Sequence, residues 1–172
     1  MLWRLRRATV GDAPALSLVG AASFLDAYAT AFAGVDIVDH CTRNNSVAVF
    51  EAWLDDPATI VTLAEYEPGH APIGYSVLTK PAFPIDTGPR DIELRRIYLM
   101  KQAHGLGLGA ALMDRALADA AERDYARVLL GVWGMNARAR AFYERQHFSV
   151  IGTRPFRIGT TPYTDPVYAR EI

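Results

Sequence analysis

Apolar and basic residues alternate from Leu2 to Ala8, the pattern of an edge or half-buried strand. The period then lengthens. Leu16, Val19, Phe24 and Tyr28 recur at helical spacing, with Thr9 or Asp12 as a cap, Pro14 tolerated in the first turn, and an end by Gly34. Asp36 to Trp53 reads as a second helical region, broken near Asn44-Asn45. Ala58 to Glu65 and Ile73 to Thr79 are strands joined by the turn Glu67-Pro68-Gly69-His70, a hairpin pattern. A loop rich in proline and glycine, Pro81 to Pro89, leads to a strand over Glu93 to Leu99. Helices follow at Leu108 to Arg123 and Ala137 to Gln146, with a strand from Val128 to Val132 between them. Ser149 to Arg154 and Val167 to Arg170 are the final strands. Strands stand before and after a central strand-loop-helix unit, which predicts a mixed α/β (α+β) architecture.

Composition narrows this picture only a little. A chain of 172 residues, 51% hydrophobic and 22% charged, fits one domain spanning residues 1–172 with a sizeable core. A formal net charge of −1 offers no basic excess for nucleic acid. The single cysteine, Cys41, cannot form an internal disulfide and has no metal-ligand spacing, so no metal is expected. No apolar run is long enough to span a membrane, and Met-Leu-Trp-Arg-Leu-Arg-Arg lacks a signal core, so a cytoplasmic location is expected.

The most specific chemistry follows the strand that ends at Leu99. Gly105, Gly107 and Gly109 alternate and then open an alanine- and leucine-rich helix. Without Cβ atoms such a loop lets a bulky anion approach the main chain. Its successive N–H groups form an anion nest, and the following helix adds its positive end. A dinucleotide fingerprint requires G-x-G-x-x-G and a later acidic residue. The next strand, Ala126 to Val132, ends instead at Trp133. A Walker loop requires Gly-Lys-Ser/Thr, and Gly109-Ala110-Ala111 offers neither lysine nor hydroxyl. What remains is a pyrophosphate held by main-chain N–H groups.

These residues resemble the GCN5-related N-acetyltransferases (GNAT), whose acetyl-CoA loop reads Gln/Arg-x-x-Gly-x-Gly/Ala. His104-Gly105-Leu106-Gly107-Leu108-Gly109 matches that loop. Glu93 to Leu99 resembles the family's fourth strand, and Gly131 to Arg145 its fifth strand and following helix. Gly152-Thr153-Arg154-Pro155-Phe156-Arg157 is similar to the last strands of small bacterial members. There are departures. His104 stands in place of Gln or Arg, Lys101 where proline is frequent, and His147 where a glycine usually ends the helix. The resemblance implies a central, mostly antiparallel sheet of about six to seven strands, splayed at strands 4 and 5 and flanked by about four helices. It also implies acetyl-CoA as the cofactor.

Transfer of an acetyl group to a primary amine in a ternary complex needs a neutral amine and an acid for the departing thiolate. From the resemblance, Tyr143 is the expected acid and Glu93 the expected base. A water chain is an equal rival for the base, and pairing with Arg95 or Arg90 is the structural alternative for Glu93. Alternation places Glu93, Arg95, Ile97 and Leu99 on one face. A splay or bulge near Ile97, Tyr98 and Leu99 would free main-chain groups for the peptide-like pantetheine arm. His104 through Ala110, that is Gly105, Leu106, Gly107, Leu108, Gly109 and Ala110, would hold the pyrophosphate. Asn136, Ala139, Phe142 and Arg145 complete the expected cofactor contacts, though Asn136 also serves as a helix cap and Arg145 as a solvated charge. Phe24, Tyr28 and Phe156, with Phe32 and Tyr163, are expected to line the acceptor side, and Asp26 or Asp86 to attract a cationic amine. The acceptor is a small amine, a polyamine or a peptide N-terminus. The competing reading is a non-catalytic acetyl-CoA sensor, and the apolar final strands suggest a homodimer.

Overall fold

The computed structural model describes residues 2–172. Seven strands form one sheet: β1 (Trp3–Arg7), β2 (Ile60–Tyr66), β3 (Pro72–Thr79), β4 (Asp91–Leu99), β5 (Arg127–Gly131), β6 (Ser149–Ile158) and β7 (Thr161–Glu171). Their spatial order is β1-β2-β3-β4-β5-β7-β6, and every pair is antiparallel except β4 with β5. Five α-helices flank the sheet: α1 (Ala13–Tyr28), α2 (Gly34–Asn44), α3 (Val47–Asp55), α4 (Leu108–Glu122) and α5 (Ala137–Arg145). The expected count of about four took Asp36 to Trp53 as one broken helix. The break at Asn45-Ser46 is complete, and Ser46 caps α3 by accepting from Val49 N–H at 3.4 Å.

Both faces of the sheet are covered, so β2 is buried at nearly every position rather than at alternate ones. Val61 and Leu63 meet Leu16, Val19 and Phe50 of α1 and α3 on one face. Ala64 and Ile73 meet Leu108 and Leu112 of α4 on the other. A third cluster joins Met113 and Ala116 of α4 to Val128, Leu130, Tyr143 and Tyr168, which seats α5 and β7.

Two features of the sheet build the cleft. First, β4 pairs with β5 only over Asp91, Ile92 and Glu93, opposite Arg127, Val128 and Leu129. Beyond Glu93 the two strands part. Second, the register between β3 and β4 slips. Leu78 faces Leu94 but Val77 faces Arg96, so Arg95 is an extra residue in β4. The single face expected for Glu93, Arg95, Ile97 and Leu99 is therefore interrupted at the bulge.

The last hairpin is much longer than its apolar pattern predicts. β6 runs to Ile158 and β7 begins at Thr161. Pro162 and Pro166 mask this stretch in the sequence. They are tolerated because β5 pairs with β7 only from Val167 onward, so the earlier part of β7 is bonded along one side.

Candidate active site

Where β4 and β5 part, a cavity of about 570 Å³ opens. This lies within the usual range for a small-molecule site. Ile97, Tyr98 and Leu99 line it, and on their β5 side the main-chain groups have no strand partner. At its end sits the glycine loop. Lys101–Ala103 form one 3-10 turn, pinned by Asp26, whose carboxylate accepts from Lys101 N–H at 2.8 Å. Asp26 thus holds the loop instead of awaiting an amine. Gly105 and Gly107 adopt φ values of +79° and +77°, which only glycine takes without strain, and a Cβ at either would meet nothing within 4 Å. The loop is open toward the cavity, and Gly107 directly precedes the first turn of α4. A chain of free N–H groups at a helix start suits a phosphate. Burial and the nearby Arg138 push His104 below its ordinary value, so its imidazole is neutral near pH 7.

Most of the expected cofactor residues meet here. Gly105, Gly107, Gly109, Ala110, His104, Asn136, Ala139, Phe142 and Arg145 all line the cavity. Asn136 caps α5, its side chain accepting from Ala139 N–H at 3.1 Å. Leu106 and Leu108 do not reach the cavity. Leu106 is exposed and its carbonyl accepts from Trp3 Nε1 at 3.2 Å, while Leu108, the first residue of α4, is fully buried.

Tyr143 faces the same space, 8% exposed and packed against Phe142, Phe148 and Tyr168. Burial, and then the neighbouring Tyr98, push its phenol well up, so it keeps its proton at any physiological pH. Glu93 does not join it. It is the last β4 residue paired with β5, 2% exposed and outside the cavity lining. Its carboxylate is taken up by Arg95 Nε at 2.8 Å, Arg95 Nη2 at 2.8 Å and Ala82 N–H at 3.0 Å. The structural alternative raised for Glu93, pairing with Arg95, is what the geometry contains.

Of the residues expected on the acceptor side, Phe24, Tyr28, Phe32 and Phe156 line the cavity, while Asp86 and Tyr163 do not. Tyr163 instead supports Phe32 and Trp133 from behind. His40 of α2 stacks on Phe24 at 4.2 Å between centroids, and burial pushes its imidazole below the ordinary value. His40, Trp133, Arg138, Arg154 and Asp165 are lining residues that the sequence reading did not assign to the site. One signal was available. Arg154, Phe156 and Ile158 alternate onto one face, and extending β6 that far would have put Arg154 beside Phe156.

A splayed sheet with a glycine loop at the mouth of its cleft defines the class of acetyltransferases. The acetyltransferase (GNAT) family model matches residues 22–148. An uncharacterized N-acetyltransferase of Mycobacterium tuberculosis is 38% identical over 161 residues, covering 94% of this chain and 98% of the relative. The PaiA N-acetyltransferase from Thermoplasma acidophilum, solved in complex with coenzyme A, superposes with a TM-score of 0.81 at 18% identity, over 100% of both chains. A ribosomal-protein-alanine N-acetyltransferase from Brucella melitensis superposes with a TM-score of 0.67 at 20% identity, over 98% of this chain and 99% of the other. The chain belongs to the GNAT acetyltransferase family.

Proposed function

We propose that this protein transfers an acetyl group from acetyl-CoA to a primary amine, by direct attack within a ternary complex. The observation that carries the reading is the meeting of three things in one cavity: the unpaired edge of β4, the open glycine loop and the protonated phenol of Tyr143. Acetyl-CoA fits this arrangement. Main-chain groups of Ile97 and Leu99 suit the two amides of a pantetheine arm, as a strand partner would. N–H groups from Gly105 to Ala110 suit a pyrophosphate, with Arg138 and Arg145 beside them.

Acetyl-CoA supplies the thioester. Tyr143 then offers its proton at the sulfur that leaves. The phenol is protonated at neutral pH, so it donates a hydrogen bond to the sulfur as the C–S bond breaks, and solvent that takes up the amine's proton restores whatever proton the thiolate acquires. With Glu93 tied to Arg95, solvent in the cleft carries away the proton of the amine. A pure sensor would need the cradle but not a buried acid at its inner end, and Tyr143 therefore favours the enzyme.

Among the described residues no helix is long and apolar enough to cross a membrane. We assign the expected homodimer to edge strand β6, where Val150 and Ile151 are exposed, and light scattering against concentration checks it. Calorimetric titration with acetyl-CoA, with NADH as control, tests the binding, and thiol release over a panel of amines tests the turnover. Acetyl-CoA binding with turnover supports the enzyme. Binding without turnover on any amine favours the sensor, and no binding overturns both.

A further inference from the structure

In the wall of the cavity, the β6–β7 hairpin presents two charges of opposite sign that do not bond to each other. Arg154 and Asp165 are direct cross-strand partners. Asp165 is 1% exposed. Its Oδ1 accepts from Gly134 N–H at 3.1 Å, while its Oδ2 is buried with no partner. Arg154 Nε is also buried without a partner. Its guanidinium lies over the rings of Phe83 and Phe156, at 5.6 and 5.5 Å. It occupies space left free by Gly131, where a Cβ would stand 2.5 Å from Arg154 Cζ. Beside them Trp133 Nε1 is a third buried polar atom without a partner. Arg154, Trp133 and Asp165 all line the cavity. Leaving a buried donor or acceptor unpaired costs about 1–3 kcal/mol, so three in one wall call for an explanation.

We propose that these residues form the acceptor subsite, and that the acceptor is a small zwitterionic amine, with its amine nitrogen on Asp165 Oδ2 and its carboxylate on Arg154 and Trp133 Nε1. The inference rests on the acetyltransferase reading above and names the substrate class for it. The spacing suits one small molecule, because Cβ atoms of directly opposed residues stand about 4.5–5.5 Å apart. The charges select in both directions. An amine without an anionic group leaves Arg154 unpaired, and a polyamine brings a second cation against it. Asp26, the other acidic candidate near the cleft, is already bonded to Lys101 N–H. Burial raises the Asp165 carboxyl, as expected of a group that lacks its cationic partner.

The test compares amino acids with the amines that differ from them only by loss of the carboxylate, and with a linear triamine, in acetyl-CoA-dependent thiol release. The wild-type protein is expected to prefer the zwitterion by about a hundredfold in kcat/KM. Arg154→Met should erase that preference by raising KM for the zwitterion, while acetyl-CoA affinity stays within about twofold. Asp165→Asn should lower kcat/KM for every amine. The wild-type panel decides the matter even if a variant fails to fold. A preference for the carboxylate-free amine or the triamine overturns the subsite. So does acetyl-CoA binding with neither turnover nor calorimetric binding of any amino acid. Failure to bind acetyl-CoA is a separate result and overturns the acetyltransferase reading beneath.

Discussion

Tyr143 illustrates how one side chain can be both core and chemistry. Its ring belongs to the cluster of Phe148 and Tyr168, yet its edge borders the cavity. Tyr143→Phe keeps the ring and removes only the hydroxyl, so the thermal midpoint should hardly move. Loss of a general acid should lower kcat by about a hundredfold with acetyl-CoA affinity preserved, and steady-state kinetics beside calorimetry check both. His104 makes a second prediction. Burial and Arg138 hold its imidazole below the ordinary value in the free protein, and a bound pyrophosphate would raise it again. A group whose pKa rises on binding takes up a proton. Acetyl-CoA should therefore bind more tightly as pH falls from about 7 toward 5.5, through the ordinary histidine value near 6.5. His104→Gln should flatten this dependence, as measured by calorimetry across that range.

At the scale of elements, β4 organises the site and Glu93 organises β4. Its carboxylate ties the bulge residue Arg95 to the loop at Ala82, just where β4 leaves β5. Glu93→Gln should cost about 2 kcal/mol through weakened charge-assisted bonds, read by urea denaturation, while the pH profile of kcat/KM keeps its shape. A loss of the acidic limb of that profile would restore Glu93 as the base. Elements carried by local pattern were legible in the sequence: α4 and α5 from their period, the cradle from its glycines and the β2–β3 hairpin from its turn. What depended on distant pairing was not. The bulge at Arg95 exists only because β3 lies beside it, so alternation alone misplaced Glu93. The outer half of the last hairpin was hidden by Pro162 and Pro166. With it went Asp165, which lies outside the final strands that the apolar pattern predicts, Ser149 to Arg154 and Val167 to Arg170. Of the cavity lining, the glycine loop, Asn136, Phe142, Tyr143 and the aromatic residues Phe24, Tyr28 and Phe156 were thus readable, and Arg154 and Asp165 were not.

Across the whole molecule, carboxylates held by arginines tie β1 to β2 and β4 to β5. Arg6 bonds to both Asp12 and Glu65 at 2.7 Å, and Arg127 holds Asp91 at 2.6 Å. These bonds hold all three carboxyl groups below their usual range. Because the folded values are depressed, the stability they bring is present above about pH 4, where unfolded carboxylates ionise, and is lost as pH falls below it. The urea midpoint should drop between pH 5 and 2, and Arg6→Gln should shallow that drop. The parting of β4 from β5 has a consequence at this scale as well. Only three residue pairs join the two strands, so the sheet is two panels meeting at a short seam. A molecule lying along the seam would splint it. The amides of Ile97 and Leu99 should exchange with deuterium quickly in the free protein and slowly with acetyl-CoA present. At a hundredfold excess over Kd the splint should add about 2.7 kcal/mol to the stability of the whole chain. The ligand would then serve as a removable eighth strand, and cellular acetyl-CoA levels would set how long the protein survives proteolysis.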